Sequence, residues 1–98
     1  MIVRIVKLTM QENEVETFKK YFSTVCDIIR SQKGCHTLQV WQDIHHSNIF
    51  FTYSLWDSEQ DLDNYRYSDF FSVFWKTVKP WFAAKTEVWS FDKILDLL

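Results

Sequence analysis

One glycine, Gly34, and one proline, Pro80, are all that the 98 residues hold of either type. So little punctuation excludes flexible linkers, and neither an internal repeat nor a low-complexity tract is present, so residues 1–98 read as one domain of elements joined by short turns. The two cysteines, Cys26 and Cys35, are too few for a disulfide framework and lack CxxC spacing, which predicts reduced thiols in a cytoplasmic protein. No apolar run is long enough to span a bilayer. The segment Met1 to Met10 is interrupted by Arg4 and Lys7 and has no small-residue cleavage site, so it reads as a strand rather than a signal peptide. Eleven Lys and Arg stand against 13 Asp and Glu, a net charge of -2. With no basic cluster to displace counterions, neither nucleic acid nor an anionic membrane is expected as a partner.

What the sequence has in quantity is aromatic rings: nine Phe, five Trp and four Tyr. A domain this short buries only about two-thirds of the surface that its unfolded chain exposes. That many large apolar side chains exceed what a small solitary fold hides, so some are expected to line a pocket or an interface.

Residues 2–10 alternate in strand fashion, with Ile2, Arg4, Val6 and Leu8 on one face and Val3, Ile5 and Lys7 on the other. From about Asn13 to Gln32, Val15, Phe18, Phe22, Val25 and Ile29 recur at three- and four-residue steps and mark one stripe of a helix. Lys33-Gly34 ends that helix, since glycine suits the left-handed C-terminal cap. His36 to Asp43 and Ile49 to Trp56 are rich in β-branched and aromatic residues and predict a hairpin around His45-His46-Ser47-Asn48. The run Asp57-Ser58-Glu59-Gln60-Asp61 signals a helix start, with residue 57 or 58 as the cap, and Ser68-Asp69 restarts the helix. Phe71, Phe74, Trp75 and Val78 form its apolar stripe, until Pro80 removes a donor and biases Lys79 away from helical geometry. Lys85 to Phe91 is a last strand, with Trp89 and Phe91 facing one way and Val88 the other.

The order strand, helix, strand, strand, helix, strand is that of an α+β, ferredoxin-like βαββαβ sandwich with a four-stranded antiparallel sheet. Two helices cover only one face of such a sheet, yet its strands carry apolar residues on both. A second copy about a two-fold axis is therefore expected on the other face, giving a homodimer.

The extended cavity of this architecture lies between helices and sheet, with Phe71 and Trp75 as its expected wall. An aromatic stripe at helical spacing also fills a core, but a buried indole N–H wants an acceptor and so favours a polar pocket. His36, at a strand start in register with Leu38 and Val40, is a candidate proton acceptor, against the plainer role of an exposed hydrogen-bonding residue. Tyr53 and Tyr65 bring phenols that either orient a polar substrate or cap the core. Arg4, on an apolar face beside Val6, needs a partner: an anionic group or a carboxylate such as Glu87. Adjacent His45 and His46 point apart on an extended backbone and have no further ligand cluster, so no metal site is expected there. No nucleophile motif, phosphate loop or dinucleotide fingerprint is present.

The strand ending Tyr53-Ser-Leu-Trp56-Asp57, the helix signal Ser58 to Leu62 and the run Tyr65-Arg-Tyr-Ser68-Asp-Phe-Phe71 resemble the antibiotic biosynthesis monooxygenase family over nearly the whole chain. The resemblance implies a dimeric α+β barrel. It also implies, from several members, oxidation of quinols or polyketide anthrones by molecular oxygen with neither metal nor flavin as cofactor. Under it, Trp75 and Phe71 shape the pocket together with Val6, Tyr53, Tyr65 and Arg4 orient substrate oxygens, and His36 is the candidate base. The family often has a His where Tyr65 aligns. Its heme-degrading relatives use Asn, Trp and His at positions aligned with Val6, Tyr65 and Trp75, and none of the three matches, so the resemblance does not carry heme degradation over.

Two other functions fit the same pattern. One is a non-catalytic dimeric barrel that binds a small apolar ligand. The other is a sugar mutarotase, similar around Ser68 to Pro80, whose first helix should present a Tyr and a His where this chain has Phe18 and Phe22. RNA-recognition modules share the strand order, but Asn48-Ile-Phe-Phe-Thr-Tyr53 lacks the basic and glycine residues that accompany their base-reading aromatics.

Overall fold

A computed structural model describes residues 1–97. Strand β1 (Ile2–Thr9) leads through a 3-10 turn at Glu12–Glu14 into α1 (Val15–Arg30). The hairpin β2 (Cys35–Gln42) and β3 (Ile49–Trp56) follows, then α2 (Glu59–Arg66), α3 (Asp69–Val78) and β4 (Glu87–Asp92). The four strands form one sheet in the order β2-β3-β1-β4, every neighbour antiparallel, which is the ferredoxin-like arrangement that the element order predicts.

The pairing register fixes which side chains share a face. β1 runs against β3 from Ile2 opposite Trp56 to Thr9 opposite Ile49, so Arg4 faces Ser54 and Val6 faces Thr52. On the other flank Val6 faces Val88 and Arg4 faces Ser90. The helices cover this face. Phe18, Phe22, Val25 and Ile29 of α1 and Phe74 and Val78 of α3 pack with Leu8 and Phe50 into the main core. Burying a ring such as that of Phe18 stabilises the fold by roughly 1.5–3 kcal/mol. A smaller cluster of Cys35, Trp56 and Leu62 closes the end of the sheet near α2.

The local signals behave as their chemistry dictates. Gly34 has φ +84°, and a Cβ there would collide with the side chain of Asp61, so two independent constraints require glycine. Ser58, rather than Asp57, caps α2 by accepting from the Asp61 N–H at 3.2 Å. Ser68 accepts from the Phe71 N–H at 3.1 Å and donates to the Tyr65 carbonyl at 2.7 Å, so one hydroxyl starts α3 while holding the end of α2.

Two expectations are corrected. Lys79 is not pushed out of helical geometry by Pro80: it has φ -52° and ψ -43°, and a 3-10 turn over Lys79–Trp81 continues the helix. The proline occupies the first turn of that element, where a missing N–H costs nothing. His36 does not share a face with Leu38 and Val40. The β2–β3 register shifts between Cys35 and Thr37, and this bulge takes His36 out of the strand's alternation.

The face away from the helices holds Ile5, flanked by Tyr53 on β3 and Trp89 on β4, with Phe91 beyond. Trp41 stacks on Tyr53 there at 5.4 Å between centroids. Trp41, Trp89 and Phe91 remain 44%, 39% and 50% exposed in the single chain. Glu87 lies on this side as well, opposite Lys7 and 3.6 Å from its ammonium.

Candidate active site

Between the sheet and the helices lies a cavity of about 440 Å³, within the range of small-molecule sites. Its floor is the β1 face bearing Arg4 and Val6 with the cross-strand residues Thr52 and Ser54. Tyr65 and Arg66 enter from the last turn of α2, and Phe71, Phe74 and Trp75 from α3. Phe71 and Trp75 are four residues apart on one helix, so their rings lie one above the other, 6.1 Å apart and 7° from parallel. Tyr65 meets the Phe71 ring edge-on at 5.2 Å and stacks on Trp56 behind it. The result is a slot walled by flat apolar surface and ending at polar groups from the sheet.

The polar end is set by short side chains around a guanidinium. Arg4 Nη1 donates to Ser90 Oγ at 2.9 Å. Trp56, fully buried, donates its indole N–H to Ser54 Oγ at 2.9 Å, which fixes the hydroxyl opposite Arg4. Glu87 is not the partner of Arg4, because strand alternation puts it on the opposite face with Lys7. Burial, and then the charge of Arg66, push the Arg4 guanidinium below its usual range, while Asp63 acts in the other direction. Arg66 itself bonds Asp63 at 3.3 Å.

Burial also pushes the Tyr65 phenol far up, with Cys35 adding to the shift, so Tyr65 stays protonated near neutrality and serves as a hydrogen-bonding group rather than a base. Burial raises the neighbouring Cys35 thiol too, leaving it in its unreactive protonated form. The indole N–H of Trp75 donates to no acceptor among the described residues. Of the described residues lining the cavity, none is His, Asp or Glu.

Five of the seven residues singled out in the sequence therefore meet at one cavity: Arg4, Val6, Tyr65, Phe71 and Trp75. Two do not. Tyr53 lies on the far face of the sheet against Trp41, because it is an odd residue on a strand whose even residues face the helices. His36, half-exposed at the bulge, holds Asp57 Oδ1 through Nε2 at 2.5 Å and lies outside the cavity. The strand-end Trp56-Asp57 pair is accordingly structural: Trp56 backs the cavity, and Asp57 ties β3 to the Gly34 carbonyl and to His36. His45 and His46 sit in a turn whose backbone N–H groups donate to Asp43 Oδ1 at 2.7 and 2.8 Å, and those bonds hold the Asp43 carboxyl below its ordinary range. Among the described residues no three His, Cys, Asp or Glu side chains gather as a metal-ligand set, and no helix is long and apolar enough to cross a membrane.

The sequence reading missed Arg66, Thr52 and Ser54. The last two follow from Arg4 and Val6 once β1 is paired with β3 in register. Arg66 carried no signal beyond being next to Tyr65.

The sequence pattern of the family described as antibiotic biosynthesis monooxygenase matches residues 1–77. No curated protein matches the chain. Among solved structures, a proposed antibiotic biosynthesis monooxygenase from Nitrosomonas europaea is similar with a TM-score of 0.89 at 17% identity, over 97% of this chain and 100% of that one. A conserved protein from Methanosarcina mazei has a TM-score of 0.87 at 21% identity, over 95% and 93% of the two chains. A protein from Deinococcus radiodurans, likewise proposed as an antibiotic biosynthesis monooxygenase, has a TM-score of 0.89 at 11% identity over 100% and 99%. At these identities the likeness is one of fold.

Proposed function

Because the chain belongs to the antibiotic biosynthesis monooxygenase family, we propose that it is a cofactor-independent monooxygenase acting on a small aromatic substrate, quinol-like or polyketide-like, with molecular oxygen. The observation that carries this reading is the slot itself: a stacked Phe71–Trp75 wall over a cavity whose far end holds Arg4. A flat aromatic wall suits a planar substrate, and Arg4 and Tyr65 are the groups that orient its oxygens.

The reaction balances without a further reductant. An activated CH₂, as in an anthrone, loses a proton. The carbanion passes one electron to O₂, the resulting radical pair joins through a C–O bond as a peroxide anion, and that anion takes up a proton to give C–OOH. Loss of water then leaves a carbonyl, with one oxygen atom in the product and one in water. The protein contributes a dry, shaped enclosure that holds the reacting partners and stabilises the anion. His36 does not serve as the base in this scheme, being outside the cavity.

The functional unit is a homodimer in which the apolar outer face around Ile5, Trp89 and Phe91 is covered by a second copy, closing a dimeric α+β barrel. A ligand-binding barrel without turnover is the second reading, and it is favoured by the lack, among the described residues, of a carboxylate or imidazole side chain lining the cavity.

Oxygen consumption by the metal-stripped protein with a panel of quinols and anthrones separates the two. Saturable uptake, slowed at least tenfold in Trp75→Phe and unchanged in His36→Ala, is the expected result. Uptake no faster than in buffer leaves the binding barrel.

A further inference from the structure

We infer that the cavity takes its ligand as an aromatic monoanion, with the negative charge held between Arg4 and Arg66. This names the ligand class of the site proposed above and rests on that cavity, but it does not require that the ligand turn over.

Arg4 is an unusual residue to find on the helix-covered face of a sheet, flanked by Val6 and Leu8 two and four positions along. A guanidinium presents five N–H donors and no acceptor. Among the described residues only the Ser90 hydroxyl accepts from it, and no carboxylate lies within ion-pair distance. The residue opposite on β3 is Ser54, whose hydroxyl already accepts from Trp56, so small side chains flank the guanidinium on both sides and leave the space above it to the cavity.

Arg66 reaches the same end from the last turn of α2, and its charge acts directly on Arg4. Arg66 is paired there with the carboxylate of Asp63, whereas Arg4 has no carboxylate within ion-pair distance among the described residues. The balance is one positive charge in a half-buried place, where a charge without a counter-ion is costly. A carboxylate, enolate or phenolate accepts the fork of a guanidinium bidentately and neutralises that excess. The rest of the ligand then lies along Phe71 and Trp75.

The same arrangement accounts for the missing base. Positive charge next to a bound acid lowers its pKa, so the substrate ionises in or before the site and the proton leaves to water. The cavity walls then need no carboxylate or imidazole, and among the described residues they have none.

The test compares binding of 2-naphthoate with that of its neutral isostere 2-naphthamide, by titration of tryptophan fluorescence in metal-free buffer. Hydrogen bonds to a charged group differ from neutral ones by enough to predict roughly tenfold or greater preference for the anion. Arg4→Met should abolish that preference by weakening naphthoate far more than the amide, and Arg66→Met should reduce it. Lys20→Met, on the exposed side of α1, is the charge control and should leave it unchanged. Arg4→Lys keeps the charge and loses the fork, and covers the case in which the methionine variant fails to fold; it should retain only part of the preference. A third ligand, 2-hydroxy-1,4-naphthoquinone, carries its charge as an enolate, and its affinity relative to naphthoate identifies which anion the site prefers. Equal affinity for naphthoate and naphthamide, or a preference that survives both arginine substitutions, overturns the inference. Anion selectivity without oxygen uptake would sink the monooxygenase reading and leave this one standing; uptake with neutral substrates bound as tightly as anions would do the reverse.

Discussion

Replacing Trp89 by lysine should convert the proposed dimer into a folded monomer. Trp89 lies next to Ile5 in the β1–β4 register and is 39% exposed in the single chain. For a side chain of about 250 Å², that leaves roughly 100 Å² to be covered. At about 25 cal/mol per Å² the covering of that area is worth about 2.5 kcal/mol. A two-fold interface contains the residue twice, so removing it costs about 5 kcal/mol before the introduced charge is counted. Converted to affinity, this is a loss of between about 10³- and 10⁴-fold. A nanomolar dimer would then dissociate at concentrations of about 10 µM. Because the side chain lies outside both buried clusters, the monomer should keep its circular dichroism spectrum. Sedimentation velocity reads the outcome, with Ile44→Lys, 90% exposed in the β2–β3 turn, as a control that should stay dimeric. A wild-type protein that sediments as a single copy at that concentration, or a lysine variant that stays paired, would refute the reasoning.

Gly34→Ala should lower the melting temperature by about 5–15 °C: the left-handed backbone costs an alanine about 1–2 kcal/mol and each kcal/mol moves a domain of this size by roughly 4–8 °C, and Asp61 must also move aside. Alkaline stability should depend on Tyr65 and Cys35. Both have folded-state pKa values raised by burial, so the native state holds their protons more tightly than the unfolded chain does. Their contribution is complete below the unfolded pKa of each and is lost as pH rises, for Tyr65 above its reference value of 10.0. Urea titrations between pH 8 and 11 should therefore show stability falling with pH, and the fall above pH 10 should flatten in Tyr65→Phe; an unchanged slope would rule out a buried phenol.

The fold was legible because its signals are local. The alternation of Ile2, Arg4, Val6 and Leu8, the stripe from Val15 to Ile29 and the serine before each later helix depend on nothing beyond a few neighbours in the chain. The same alternation, taken one step further, places Tyr53 on the outer face, since it lies three residues before Trp56 and so on the other side of the strand. His36 was beyond that logic. Alternation puts it with Leu38, but the register against β3 shifts between Cys35 and Thr37, where Cys35 packs with Trp56 and Leu62, and strand pairing is a non-local fact. Arg66 is hidden for a related reason: on a two-turn helix with little apolar pattern, the side facing the cavity is decided by how α2 lies on the sheet. The charge excess near Arg4 is legible only once Glu87 is seen to belong to Lys7.

The Ser68 hydroxyl, which closes one helix and opens the next, also works as a ruler. Arg66 lies just before it and Phe71 and Trp75 just after, so the span between the cation and the rings is fixed at a two-residue joint rather than along a continuous rod. Lengthening or shortening that joint would change the size of molecule that fits while the packed core beneath α1 stayed as it is. A fold with so small a core can in this way be fitted to different guests by edits of one or two residues.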